Sequence, residues 1–307
     1  MAGKTKLYFE ELRAPFLTAS ILPVLLGTSA AAVKTGRVEW AGFAAALIGG
    51  CLLHSGANVA NDYFDYKSGN DNINKEFIRP FSGGSRLIQK GLLTSREVLG
   101  ESLILFLLSI IAGVYLTIQK GYAIPIFGLA GFLSGFFYSS PPFRLAGSGI
   151  GEFIIGLNFG TLMTAGAFFV QTGYVNLDII LISLPLALLI AAVVYINEFP
   201  DFTADRQVGK KTLVVRLGKE KAVTGYYLLV YSSYVITGLL IAAGLLPIWA
   251  AAFFLTLPPA VKAAGNLKAN HSDSARLAPS NAMTIKLHMA SGLILTLSYI
   301  ISYFVGR

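Results

Sequence analysis

Two stretches of this 307-residue chain concentrate oxygen-bearing side chains at a four-residue interval. The first is Asn58-Val59-Ala60-Asn61-Asp62-Tyr63-Phe64-Asp65-Tyr66-Lys67-Ser68-Gly69-Asn70-Asp71. The second is Asn197-Glu198-Phe199-Pro200-Asp201-Phe202-Thr203-Ala204-Asp205-Arg206. Residues four apart share one helix face, so Asn61 stacks with Asp65, and Asn197 with Asp201 and Asp205. Carboxylate and amide oxygens suit a hard cation, and Mg2+ in particular binds through one or two carboxylates plus substrate phosphates. Without a cation, facing carboxylates would repel and raise each other's pKa. Lys67, Arg79, Arg86, Arg206, Lys210 and Lys211 follow close behind and could neutralise the oxygens of a diphosphate. The pattern points to a Mg2+–diphosphate complex held between two helix ends.

The elements that carry these faces are set by composition. Hydrophobic residues make up 54% of the chain, only 13% are charged, and the mean hydropathy is +0.65. A soluble domain carries about 25% charged residues. Here the uncharged residues form long runs of the kind that cross a bilayer as helices of about 20 residues. Nine such runs are expected: 15–33, 38–60, 98–118, 122–138, 150–170, 177–196, 223–243, 245–263 and 287–305. They lack barrel-strand alternation, and lipid offers no partner for an unpaired backbone group, so they read as helices. The run at 15–33 lacks a cleavage region and opens a series, so it counts as a span rather than a signal peptide.

Charge orients the bundle. Of the 24 Lys and Arg residues, all but Lys34, Arg37, Lys120 and Arg307 fall on the side holding the N-terminus and the segments after even-numbered spans. By the positive-inside rule that side is cytoplasmic. This basic face accounts for the net charge of +8 without nucleic acid. Thr94-Ser95-Arg96-Glu97 is a capping box opening span three. Cys51, the single cysteine, excludes an intramolecular disulfide and reads as a small buried hydrophobe, with His54 and Glu101 also structural. Both acidic faces end an even-numbered span, four spans apart. Residues 1–307 therefore form one transmembrane domain, a coarse repeat of spans one to four and five to eight plus span nine, with a site where the repeats meet. A secondary transporter shares such features but places its acids at mid-bilayer on broken helices.

At these residues the sequence resembles the UbiA superfamily of membrane prenyltransferases. The resemblance covers nearly the whole chain. It implies an all-α bundle of about nine transmembrane helices with a central cavity open to the cytoplasm, and Mg2+, two ions with the diphosphate, on Asp-rich motifs after helices two and six. Carried over, Asn61, Asp65 and Asp71 match the first motif, and Asn197, Asp201 and Asp205 the second. Many members place an Asp where this chain has Gly69, with Asp71 two positions later. The same delay marks the branch making menaquinone precursors. That branch is also resembled by Leu12-Arg13-Ala14-Pro15 through Gly27, by Tyr138-Ser139-Ser140-Pro141-Pro142-Phe143-Arg144, and by Gly209-Lys210-Lys211 through Gly218. By that analogy Arg13, Tyr138 and Arg144 belong to the substrate cavity.

The implied reaction is electrophilic prenylation, with Asp65 and Asp201 central to the diphosphate clamp. Phe132, Phe136, Phe137, Tyr138 and Tyr195 are placed to face a carbocation, and Asp62 is a candidate base. The partners expected are a prenyl diphosphate, the lipid bilayer and an aromatic acceptor, 1,4-dihydroxy-2-naphthoate within that branch. The alternative acceptor is geranylgeranylglyceryl phosphate, as in archaeal ether-lipid members.

Overall fold

The computed structural model describes residues 3–306, and every regular element among them is helical. The chain opens with α1 (Lys4–Glu11), a 3-10 turn (Ala14–Leu17) and α2 (Thr18–Thr35). There follow α3 (Trp40–Ser68), the short α4 (Asn70–Ile73), α5 (Ser95–Lys120) and α6 (Ala123–Ser139). A π-helical turn (Leu157–Leu162) joins α7 (Gly151–Gly156) to α8 (Met163–Thr172). Next come α9 (Leu177–Gln207), α10 (Leu213–Leu217) and α11 (Lys219–Ala242). A 3-10 run (Ile248–Thr256) leads into α12 (Leu257–Asn270), and α13 (Ser274–Val305) ends the bundle.

Eight of these units are long and apolar enough to cross a membrane. The 17-residue α6 is a shorter ninth apolar helix, about 26 Å long at 1.5 Å per residue. The chain is thus a multi-pass membrane protein. Its spans match the nine apolar runs, but several helices outlast them. α3 continues unbroken to Ser68 and α9 to Gln207, so both acidic faces belong to the spanning helices themselves. An apolar run measures depth in lipid, whereas a helix stops only where its backbone is capped. For α3 the stop is Gly69, at φ 79°, a left-handed conformation that favours glycine. The capping box forms as expected: Thr94 Oγ1 accepts from Glu97 N (3.3 Å), and Glu97 Oε2 accepts from Thr94 N (2.8 Å).

α9 is the central helix, with Leu186, Leu189, Ala192, Ile196 and Phe199 fully buried among α2, α7, α11 and α13. Outward, α5 exposes Leu103, Ile104, Leu107 and Ile111, the surface a lipid-facing helix presents. Small residues bring helices close: Gly27 of α2 lies directly against the Thr164 carbonyl of α8.

Pro200 sits inside α9 and has no N–H, so the Ile196 carbonyl one turn earlier loses its helical donor. Asn281 of α13, fully buried, fills the gap. Its Nδ2 donates to Ile196 O (3.3 Å) and to Asn197 Oδ1 (2.8 Å). One amide thereby repairs the helix and fixes the first residue of the second acidic face. Asn281→Leu is expected to lower stability by about 1–3 kcal/mol through the orphaned carbonyl. Adding Pro200→Ala returns a backbone donor, so the double variant should recover part of that loss. Thermal unfolding of the four proteins in one detergent measures the coupling.

Candidate active site

A cavity of about 400 Å³ opens between α2, α3, α6, α8 and α9. Its wall follows α3 from Asp65 down to Ala45, a run of about 30 Å at the helical rise. Below the level of Asn58 and Asn158 most of the lining is apolar or glycine. Two polar groups there are satisfied internally. Ser109 Oγ donates to Gly49 O (2.9 Å), and Ser20 Oγ pairs with His54 Nδ1 (2.8 Å). His288 Nε2, also in the wall, has no partner and is buried.

The mouth is polar, and both acidic faces meet there. From α3, Asn61 Nδ2 donates to Ser139 Oγ (2.7 Å) and to Asp65 Oδ2 (3.3 Å), which commits its amide hydrogens and leaves its carbonyl oxygen open. From α9, Asn197, Asp201 and Asp205 line the opposite wall. Lys210 stands between the faces, with Nζ 2.7 Å from Asp65 Oδ1 and 3.7 Å from Asp205 Oδ1. Burial alone would lower the pKa of Lys210, but the Asp65, Asp205 and Asp201 carboxylates more than offset this and raise it. Burial, reinforced by Asp65 and Asp62, pushes Asp71 up to about 8. Crowding of the acids thus favours the neutral form of Asp71 and the charged form of Lys210.

Asp71 lines the cavity from α4, where its Oδ2 accepts from Gln89 Nε2 (2.8 Å). Arg13 reaches the cavity from a left-handed turn (φ 53°), 3.7 Å from Asp62. Tyr138 lines it from the last turn of α6, inside the helix rather than in the loop after it. The structure thus brings Asp71, Arg13 and Tyr138 to the cavity wall.

Other expected residues lie elsewhere, each for a visible reason. Asp62 is one residue off the Asn61–Asp65 stripe and is buried beneath the 82–86 loop, where its Oδ2 accepts from Ser85 N (2.7 Å). It holds the loop and does not line the cavity. Arg79 donates to the Ser85 carbonyl, and Arg86 to Asp71 O (2.8 Å) and Asn74 O (3.4 Å), so both brace backbone. Arg206, in the last turn of α9, and Lys211, after it, are exposed and do not line the cavity. Lys67 and Arg144 line a smaller side pocket of about 210 Å³, which meets the main cavity at Asp65, Tyr138 and Lys210. Of the aromatic set only Tyr138 faces the cavity. Phe132 and Phe136 pack on Phe106, Phe137 packs on Phe143, and Tyr195 donates to Ala222 O (2.9 Å).

Sequence reasoning missed Asn70, Asn74, Asn281 and Glu198. Asn70 Nδ2 donates to Asp205 Oδ1 (3.1 Å) and Asn74 Nδ2 to Asp201 Oδ1 (2.6 Å). Glu198 lines the cavity with one unpartnered oxygen. The Asn70–Asn74 interval repeats the four-residue spacing of the other motifs, a signal that lay in plain view.

This arrangement coincides with a match to known proteins. Residues 20–289 match the UbiA prenyltransferase family. The chain belongs to that family. It is an enzyme that transfers prenyl groups. A relative named 1,4-dihydroxy-2-naphthoate octaprenyltransferase, from Bacillus subtilis, is 29% identical over 94% of this chain and 90% of its own. Among solved structures, the apo UbiA homologue of Aeropyrum pernix K1 superposes with a TM-score of 0.68 at 14% identity, over 92% and 97% of the two chains. The Archaeoglobus fulgidus UbiA homologue, solved bound to DMAPP and Mg2+, gives 0.55 at 16%, over 94% and 99%. At these identities the structures speak for the fold alone.

Whether the UbiA mouth here fits Mg2+ is decided by its donors. Among the described residues no three His, Cys, Asp or Glu side chains form a closed metal cluster. The oxygens instead stand in two facing groups bridged by an ammonium. That suits an ion completing its shell with substrate phosphates and water, the habit of Mg2+, and not an all-protein cage. The residues fit. Asp65→Asn and Asp201→Asn should each cut turnover more than tenfold while leaving the unfolding temperature in detergent within a few degrees of the parent. Retention of most activity in both would remove the two faces from the reaction.

Proposed function

We infer that this enzyme transfers the prenyl group of a polyprenyl diphosphate to 1,4-dihydroxy-2-naphthoate, a step of menaquinone biosynthesis. The observation that carries the reading is the junction of two oxygen-donor faces above a deep apolar cavity. The name of the Bacillus subtilis relative, similar over nearly the full chain, supports the aromatic acceptor over a glycerol phosphate. The DMAPP and Mg2+ of the Archaeoglobus fulgidus homologue support the donor and the metal.

Asn61 and Asp65 on one wall, with Asn197, Asp201 and Asp205 on the other and Asp71 beside them, would hold two Mg2+ ions, which supply positive charge against the departing diphosphate. Lys210 and Arg13 add charge from the chain itself, and Lys210 must leave its carboxylates to do so. The apolar wall takes the isoprenoid tail and keeps water from the allylic carbon. Tyr138 offers a π face at the mouth, where cation–π attraction can reach about 2 kcal/mol once water is excluded. Two ring hydroxyls make the acceptor carbon nucleophilic. As the new carbon–carbon bond forms, the ring carboxylate leaves as CO2, its bonding pair restoring aromaticity. That step needs no strong base, in keeping with Asp62 lying outside the cavity.

The same reading makes residues 1–307 one transmembrane domain in the cell membrane, with the N-terminus and the mouth cytoplasmic. With Mg2+ and a long prenyl diphosphate, dihydroxynaphthoate should be prenylated with matching CO2 release, even against competing geranylgeranylglyceryl phosphate. An ether-lipid product alone would overturn the acceptor. For topology, single cysteines replacing the exposed Lys75 and Lys211 in a Cys51→Ser background should react with an impermeant maleimide only from the cytoplasm. A cysteine replacing Arg37 should react only from outside. Labelling of Lys75→Cys and Lys211→Cys from opposite sides would end the shared-mouth reading.

A further inference from the structure

The connection between α3 and α5 crosses the mouth instead of looping clear of it. Gly69 ends α3 and turns α4 onto α9. Asn70 and Asn74, 4% and 3% exposed, then reach Asp205 and Asp201 across the cavity. The strap is fastened from both sides. Arg86 holds the Asp71 and Asn74 carbonyls. Glu76 accepts from Thr203 Oγ1 of α9 and Ser274 Oγ of α13 (3.1 Å each), with Lys219 Nζ 3.8 Å away.

We propose that Asn70 and Asn74 are positioning residues that set the α9 carboxylates for the metal. The proposal rests on the reading of Asp201 and Asp205 as metal ligands. A carboxylate has two oxygens and a loose terminal torsion. An amide N–H tied to one oxygen fixes the plane of the group and leaves the other oxygen with defined lone pairs. The donor is neutral, so it offsets part of the cost of crowding acids without adding a cation that Mg2+ would have to displace. Lys210 does the opposite: it binds Asp65 and Asp205 as a rival charge. Asn70 Oδ1, buried and unpartnered, is one further neutral oxygen at the same place. Outer partners of this kind typically change metal affinity by about 10–100-fold when removed.

Mn2+ is a suitable probe, since free Mn2+ is counted by its paramagnetic resonance in titrations of the purified full chain with inorganic pyrophosphate. Asn74→Ala and Asn70→Ala should raise the Mn2+ Kd at least tenfold, and the Mg2+ concentration for half-maximal turnover in parallel. At saturating metal, kcat should stay within about threefold, a split that general misfolding would not give. Asn74→Gln, which keeps an amide donor, should lose less than Asn74→Ala, and it serves as the test if the alanine variant does not fold. Glu76→Ala loosens the strap without touching a carboxylate and should leave Mn2+ binding unchanged. Unaltered Mn2+ binding in Asn70→Ala and Asn74→Ala would overturn the positioning role. So would an equal loss in Glu76→Ala, because the strap would then act only as a fastening. Asp201→Asn separates the two levels: if it too leaves Mn2+ binding intact, the metal reading itself falls.

Discussion

Asp65 and Asp205 stand on different helices yet share one ammonium, Lys210, at the rim of an apolar cavity. Two carboxylates no more than about 6 Å apart repel by about 3 kcal/mol at an effective dielectric of 20. Asp201 and Asp71 add to that field. A bundle can keep such a group only by supplying counter-charge, and the elements around the mouth are arranged for that purpose. Lys210 comes from the turn after α9, where its N–H donates to Asp205 O (2.9 Å) and Gly209 takes a left-handed conformation. Asn70 and Asn74 come from the strap and donate to Asp205 and Asp201. Lys210 supplies the charge, and Asn70 and Asn74 add neutral donors.

The compensation also explains the division of labour among basic residues. Arg79 and Arg86 are close in sequence to the first acidic face, yet their guanidinium groups are spent on carbonyls of the strap and the 82–86 loop. A guanidinium has five donors in a rigid fork and suits backbone bracing in a tight loop. A lysine is a single flexible point charge, which can leave one carboxylate for another anion with little rearrangement. On the proposed function, Lys210 rather than an arginine therefore occupies the place that the diphosphate takes over.

Much of this was legible in the sequence because it depends on periodicity. The apolar runs set the spans, and the interval of four put Asn61, Asp65, Asn197, Asp201 and Asp205 on two faces that do meet. What periodicity could not give is where a loop side chain goes. Arg79 and Arg86 looked like diphosphate ligands because the residues they bind are backbone carbonyls, which no sequence pattern displays. Asp62 and Asp65 differ by three residues, which leaves their side chains about 60° apart around the helix, enough for one to anchor a loop and the other to face the cavity. Asn281 was invisible for another reason: its partner is a vacancy created by Pro200 in a different helix, 81 positions away by number.

Gly69 brings these threads together. Where many members of the family carry a third acid in register with Asn61 and Asp65, this chain has a residue chosen for its backbone. An Asp at that position could continue α3 and extend the acidic stripe along one helix. Glycine at φ 79° ends the helix instead, and the acid reappears two residues later as Asp71, on an element that crosses to α9. The shift trades one more ligand on an already crowded face for a strap that carries Asn70 and Asn74 to the opposite carboxylates. Repulsion makes that trade favourable: a third acid on α3 would deepen the field that Lys210 has to balance, whereas two amides on the strap relieve it. The delayed acid is thus the consequence of how the first motif is connected to the second.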